Sequence, residues 1–288
     1  MIMTMSEANE RRDELAKLWN GPSGHAWVET QPLLDQMFAP IETLLVEAAT
    51  AISPERVLDI GCGTGATTLA VARQIAPKDG CIGVDISAPM IEAARARAQR
   101  EHLQATFICA DAQEHPFDPS CVDMLISRFG VMFFDDPVRA FANLHHAARS
   151  GAKLRFIVWR SPAENPFMTT AERAAAPLLP NLPARKPEAP GQFAFATAGR
   201  VHDILKESGW TSIDIQPIDV VCTFPEPELV RYFTRLGPVS LALKDEDDDT
   251  RARVIETIRP AFDPFVHEAD VRFVAACWMI GATSQARS

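Results

Sequence analysis

Residues 57–65 read Val-Leu-Asp-Ile-Gly-Cys-Gly-Thr-Gly and run directly into a helix-forming segment, 66–76. Glycines at 61, 63 and 65, placed between a strand and its helix, let backbone amides approach a ligand closely. The helix N-terminus behind them adds partial positive charge. The spacing is GxGxG, and Asp59 stands two residues before the first glycine. A pyrophosphate gains nothing from a carboxylate there, whereas a ligand bearing an ammonium does. Asp85 ends the next apolar run, 20 residues beyond Gly65, where a carboxylate can accept both hydroxyls of a ribose. Asp111 ends the third run, followed by Ala112 and Gln113; a carboxylate there can accept from an exocyclic amine. Three acidic strand ends on one sheet edge describe a pocket for a nucleoside with a cationic amino-acid tail. The glycines alone would also suit a nicotinamide dinucleotide, a reading that the position of Asp59 disfavours.

Regular elements must hold these residues at one edge. Short apolar runs at 56–60 (RVLDI), 81–85 (CIGVD), 105–110 (ATFICA), 121–126 (CVDMLI) and 153–159 (KLRFIVW) alternate with helix-forming stretches near 65–75, 87–100 and 136–148. Strand and helix in alternation imply parallel pairing with right-handed crossovers, hence a doubly wound α/β sheet. Before it, residues 1–52 carry Leu34, Met37, Ile41, Leu44, Leu45 and Ala48 at helical spacing, with a bend expected at Pro40. After it, 160–190 holds seven of the 22 prolines and reads as an irregular excursion. A helix near 198–208 stops at Gly209, and a strand covers 211–222. A second excursion, 225–268, carries the acidic run 244–249 (KDEDDD), read as a solvated loop or helix edge. The run 271–283 (VRFVAACWMIGAT) reads as a strand buried on both faces. The expected whole is a mostly parallel seven-stranded sheet in a single domain over 1–288. Its parts are a helical cap (1–52), a binding core (54–160), lid segments (160–198 and 225–268), and closing helix and strands (198–222 and 269–284).

Composition narrows the partners. The chain has 288 residues, 28 Lys+Arg against 38 Asp+Glu, and a formal net charge of −10, which argues against nucleic acid. With 47% hydrophobic and 23% charged residues it is an ordinary globular sequence. Its longest apolar run is far shorter than the roughly 20 residues of a membrane span. The first residues turn charged before any apolar run develops, so no secretory signal is expected and the setting is cytoplasmic. Cys62, Cys81, Cys109, Cys121, Cys222 and Cys277 form no CxxC or CxxH pair and read as small core hydrophobes in a reducing compartment.

The motifs at 59–65, Gly83-Val84-Asp85-Ile86-Ser87, Asp111-Ala112, 123–134 (DMLISRFGVMFF) and 143–159 resemble the class I S-adenosylmethionine-dependent methyltransferases. The likeness is to their small-molecule branch, which includes ubiquinone- and menaquinone-biosynthesis methyltransferases, and it is good over about 54–160. It implies a Rossmann-like methyltransferase fold, S-adenosylmethionine as cofactor, and methyl transfer to a small molecule, which the hydrophobic residues of the two excursions suggest is largely apolar. Position by position, it implies the backbone of Gly61 and Ser127 at the methionine ammonium. Cys62, Gly63, Thr64 and Gly65 would complete the loop, with Asp59 ordering the turn. Asp85 would bind the ribose, Ile86 and Met90 would face the adenine, and Asp111 with Ala112 would meet its edge. Trp19-Asn20-Gly21-Pro22 through Trp27 and Gln31 resemble a cap folded over the cofactor. Arg149-Ser150-Gly151-Ala152 stand where the family has Pro-Gly-Gly, so a looser turn is expected before the fifth strand. Residues 127–130 read Ser-Arg-Phe-Gly rather than Asn-Pro-Pro-aromatic, which disfavours methylation of nucleobase or glutamine amides.

No general base is forced by the pattern. His25 beside the cap, Arg128 after the fourth strand and Tyr232 in the second excursion are candidates, each with an ordinary structural role beside the functional one. Trp27, Phe129 and Phe134 offer aromatic faces to a sulfonium. Phe167, Met168, Phe193, Phe195, Phe233 and Leu236 are expected to line an acceptor site under the lid. His145-His146 suit a helix C-terminus better than a metal, and none is expected. A homodimer is compatible with the sequence. The rival from another class is a non-catalytic regulatory protein that binds the same cofactor.

Overall fold

The computed structural model describes residues 5–285 apart from 184, 187 and 188, with the backbone alone for 5–12. Three helices open the chain: α1 (Met5–Asn20), α2 (Pro22–Glu29) and α3 (Gln31–Ile52). Then follow β1 (Val57–Ile60), α4 (Ala66–Ile75), β2 (Cys81–Asp85), α5 (Ala88–Glu101), β3 (Ala105–Cys109), β4 (Val122–Arg128), α6 (Pro137–Ala147) and β5 (Ala148–Trp159). The remainder is α7 (Pro166–Ala175), α8 (Ala198–Glu207), β6 (Trp210–Pro225), α9 (Leu229–Arg235), α10 (Gly237–Ala242), α11 (Asp248–Ala261), β7 (Val266–His267) and β8 (Asp270–Ser284).

The strands order as β3-β2-β1-β4-β5-β8-β6, with the two-residue β7 pairing off β8. The first five are parallel and β8 runs antiparallel to both neighbours. This is the doubly wound, mostly parallel sheet read from the sequence. The strand order reverses between β1 and β4, and such a switch point opens a crevice at the carboxyl edge. All four residues of β1 are buried, as a central strand covered on both faces requires. Leu34, Met37, Ile41 and Leu45 form the buried stripe of α3, which runs through Pro40 as one element.

Several expectations are refined. The excursion at 160–190 contains α7, and 225–268 is largely helical. Prolines there stand where a helix tolerates them: Pro166 is the first residue of α7 and Pro238 lies in the first turn of α10. The acidic run lies at the edge of α11, one of its two expected places, and Asp247 caps that helix by accepting from the Thr250 N–H at 2.7 Å. β8 is buried on both faces only over its second half. The β6–β8 pair continues past the parallel strands with one face in water, leaving Val221 and Val274 52% and 49% exposed. β5 follows α6 directly, and its pairing with β4 breaks register between Ala148 and Lys153, around Gly151 at φ +82°, with Arg149 held on Asp123 at 2.7 Å. Among the cysteines, Cys109 is exposed and Cys121 partly so, while the other four are buried.

Candidate functional site

A cavity of about 440 Å³ opens at the carboxyl edge over the β1/β4 switch point. Its floor begins at the glycine loop. Gly61 and Gly63 adopt φ +65° and +55°, a region that favours glycine. Gly61 also faces Gly130, and a Cβ on Gly61 would lie 2.5 Å from the Gly130 Cα. The two backbones therefore touch, and only glycine at both positions permits it. The loop is anchored on β2, since Gly61 and Cys62 N–H both donate to the Val84 carbonyl at 2.8 and 3.1 Å.

Asp85, at the end of β2, is 9% exposed and lines the cavity. Its Oδ2 accepts from the Gly63 N–H at 2.8 Å and its Oδ1 from the Ser87 N–H at 2.9 Å. Burial nevertheless raises its pKa, the backbone hydrogen bonds offsetting only part of the desolvation. Each carboxylate oxygen keeps acceptor capacity beyond one N–H, so a ligand donating hydroxyls here would relieve the burial cost. Ile86 and Met90 continue the wall, and Asp111 and Ala112 close it beyond β3. The turn after β3 is fixed: Asp111 Oδ1 accepts from the Gln113 N–H, and Asn143 donates to the Ala112 and His115 carbonyls at 3.0 and 2.9 Å.

The N-terminal helices cover this floor. Asn20 donates to the Ile86 carbonyl at 3.0 Å and accepts from the Ala88 N–H at 2.8 Å, while Ser87 Oγ donates to the Trp19 carbonyl at 2.6 Å. Trp19 meets Trp27 and Phe133 edge-on at 6.1 and 5.2 Å. Trp27, Phe129, Phe134 and Trp159 line the cavity. Phe129 stacks on Trp159 at 4.6 Å and meets Phe38 at 5.3 Å. It does so from a left-handed backbone, φ +67°, a strained conformation that the packing holds.

Trp27, Gly61, Gly63, Asp85, Ile86, Met90, Asp111 and Ala112 thus share one wall. Asp59, Cys62, Thr64, Gly65 and Ser127 are not on the wall but stand behind it, in line with the expected role of Asp59 in ordering the turn. They hold the loop in shape. Asp59 accepts from Thr68 Oγ1 of α4 at 2.6 Å, and burial pushes its carboxyl up to about 7. Burial also raises the Cys62 thiol far above its ordinary value. Thr64 accepts from Arg97 at 3.0 Å, and Arg97 reaches on to Asp35 of α3 at 2.8 Å. Gly65 caps α4 at φ +85°. Ser127 Oγ donates to the Ile60 carbonyl at 2.8 Å and accepts from the Gly130 N–H at 3.1 Å, locking the Gly61–Gly130 approach.

The catalytic candidates separate. His25 is exposed and off the cavity wall, with its Nδ1 on the Gly21 carbonyl one helical turn back. Tyr232 lines the cavity, yet burial raises its pKa and its hydroxyl meets Met168 Sδ at 3.7 Å. Such a phenol stays protonated and is no base. Arg128 lines the cavity beside Phe38. Of the lid residues expected around an acceptor, Leu236 is on the wall. Phe167, Phe195 and Phe233 instead fill the core: Phe167 stacks on Phe273 at 4.0 Å and Phe233 on Phe262 at 5.8 Å. Phe193 lies under Arg185, and Met168 under Tyr232. What Gly130, Asn20, Arg97 and Asn143 contact was not legible in the sequence, since Gly61, Ile86, Thr64 and Ala112 lie more than 25 residues from them.

Comparison with known proteins agrees with this geometry. A family profile described as "Methyltransferase domain" matches residues 57–151. Aklanonic acid methyltransferase DauC of Streptomyces sp. (strain C5) is 32% identical over 178 residues, covering 59% of this chain and 80% of that one. A ubiquinone biosynthesis O-methyltransferase of Coxiella burnetii is 30% identical over 162 residues, 54% of this chain and 64% of the relative. The crystal structure of YcgJ from Bacillus subtilis superposes with a TM-score of 0.56 at 17% identity, over 85% of this chain and 98% of that one, and shares the fold. The chain belongs to the class I S-adenosylmethionine-dependent methyltransferases, in their small-molecule branch. It is an enzyme of methyl transfer, and its cofactor is S-adenosylmethionine.

Proposed function

We propose that the cavity seats S-adenosylmethionine with its ribose hydroxyls on Asp85, and that the acceptor is a small, largely apolar organic molecule entering beside Phe129 and Trp159. Adenine lies between Ile86 and Met90 with its edge at Asp111 and Ala112, and the amino-acid tail runs over Gly61 and Gly63 beneath Trp27. The observation that carries this reading is Asp85, a buried carboxylate on the cavity wall whose pKa is raised even with two N–H donors. The cofactor supplies a methyl on a sulfonium with a neutral thioether as leaving group. The protein's part is to position the two reactants in line and to exclude water. Trp27, Phe129 and Phe134 offer ring faces to the positive charge.

The first described relatives support a small-molecule acceptor, since by their names one acts on aklanonic acid and another serves ubiquinone biosynthesis. None of His25, Tyr232 or Arg128 suits a general base, which favours an acceptor whose nucleophilic atom is already ionised at neutral pH. We take residues 1–288 to work as one methyltransferase domain in the cytoplasm, and the net charge of −10 supports a role without nucleic acid. Among the described residues, no helix is long and apolar enough to cross a membrane. The test is formation of S-adenosylhomocysteine from S-adenosylmethionine across a panel of aromatic acids, phenols and quinols. Acceptor-dependent product is expected; cofactor binding with no turnover on any acceptor would return the regulatory reading.

A further inference from the structure

Arg128 ends β4 and lies in the cavity wall. Its side chain is 12% exposed, and its guanidinium makes no hydrogen bond to a described residue; Nη1 is fully shielded and unpartnered. The nearest carboxylate oxygen, on Glu42 of α3, is 3.9 Å from Nη1, beyond hydrogen-bond reach. The two form a loose ion pair without a hydrogen bond, and burial raises the Glu42 pKa although the guanidinium opposes it. Of the other arginines on the wall, Arg185 grips Glu172 through two nitrogens, and Arg235, 3.8 Å from Glu29, is exposed and solvated. A buried guanidinium with unspent donors is costly, and such groups are kept where something pairs with them.

We infer that Arg128 is the specificity-determining residue for an anionic acceptor, its planar fork receiving the carboxylate or ionised hydroxyl of an aromatic acid. The surroundings fix the rest of that chemistry. Phe38 lies 5.8 Å from the guanidinium carbon, and Phe129 stacked on Trp159 supplies a flat apolar wall alongside. A planar ring against that wall would carry its anionic group to Arg128. Asp85 and Asp111 lie at the β2 and β3 ends, across the switch point from β4 and β5, and Asp135, in the segment after β4, is the third acidic residue of the lining. An Arg fork matches a carboxylate bidentately, which a lysine ammonium does not.

The inference rests on the cofactor reading, and a calorimetric experiment separates the two. Protein saturated with S-adenosylhomocysteine is titrated with 2-naphthoate and with 2-naphthamide, a matched pair differing in charge. Wild type should bind the naphthoate at least about tenfold more tightly. Arg128→Met should bring the two ligands within about twofold of each other, and Arg128→Lys should keep a reduced preference. Both variants should hold S-adenosylhomocysteine within about threefold of wild type, which also reports that they fold. Equal binding of the pair by wild type, or a preference that survives Arg128→Met, overturns the inference. So does a tenfold loss of S-adenosylhomocysteine in Arg128→Met, which would assign the guanidinium to the cofactor's own carboxylate. Failure of wild type to bind S-adenosylhomocysteine at all would instead defeat the cofactor reading.

Discussion

Replacing Asp59 with asparagine should remove a pH dependence of stability that lies between about pH 4 and pH 7. Asp59 is 1% exposed, and its Oδ2 accepts from Thr68 Oγ1 at 2.6 Å. Desolvation is the largest influence on it, outweighing the Thr68 hydrogen bond and the positive charge of Arg128, while Asp85 and Glu42 push the same way as burial. The carboxyl consequently moves from 3.8 to about 7. A folded-state pKa above the unfolded one means that the folded chain holds the proton more tightly. The associated stability is full below about pH 4 and is lost as pH rises through 7. A displacement of about three pH units corresponds to about 4 kcal/mol over the whole window. Asparagine keeps the shape and an acceptor for Thr68 but cannot ionise. Urea unfolding of both proteins at pH 5, 6, 7 and 8, at one ionic strength, reads the difference directly. Other titrating groups are common to both proteins and largely cancel. Asp59→Asn should gain about 3 kcal/mol on wild type between pH 5 and pH 8. A difference that stays flat with pH would refute the argument, because it would mean that burial does not hold the proton on Asp59.

Gly130→Ala would press a Cβ into the Ile60 carbonyl and to 2.7 Å from the Gly61 Cα, so we expect a stability loss of about 1–3 kcal/mol and a marked loss of S-adenosylhomocysteine binding by calorimetry. Gly151→Ala is the control: its φ is +82° but nothing lies within 4 Å of the added Cβ, so stability should fall while binding holds. Phe167→Ala should cost about 3–5 kcal/mol in urea unfolding, because the ring is buried against Phe273 at 4.0 Å. Cofactor affinity should not change in that variant; unchanged stability would contradict its placement in the core.

The cofactor half was legible because each of its cues is local. Short apolar runs, glycines at 61, 63 and 65, and an acid at or just after the end of each of the first three strands (Asp59, Asp85 and Asp111) are each read within one short stretch of chain. The lid was not, because prolines were read as breakers while Pro166 and Pro238 sit in first turns, where the missing N–H costs nothing. Its phenylalanines looked available for an acceptor, yet helices α7, α9 and α11 turn them toward one another. The contacts that shape the loop are also invisible in one dimension: Gly61 meets Gly130, Arg97 meets Thr64, and Asn20 meets Ile86. The direction of the His25 ring, back along α2 to the Gly21 carbonyl, is likewise not written in the sequence.

The central claim is that a nucleoside sits with its ribose on Asp85. Calorimetric titration of S-adenosylhomocysteine into wild type and Asp85→Ala tests it most directly. Two hydroxyl bonds to a carboxylate, each contributing about 1.5–3 kcal/mol, predict binding by wild type and a loss of about a hundredfold or more in the variant, with NADH failing to compete. Equal affinity in Asp85→Ala, or displacement by NADH, would contradict it.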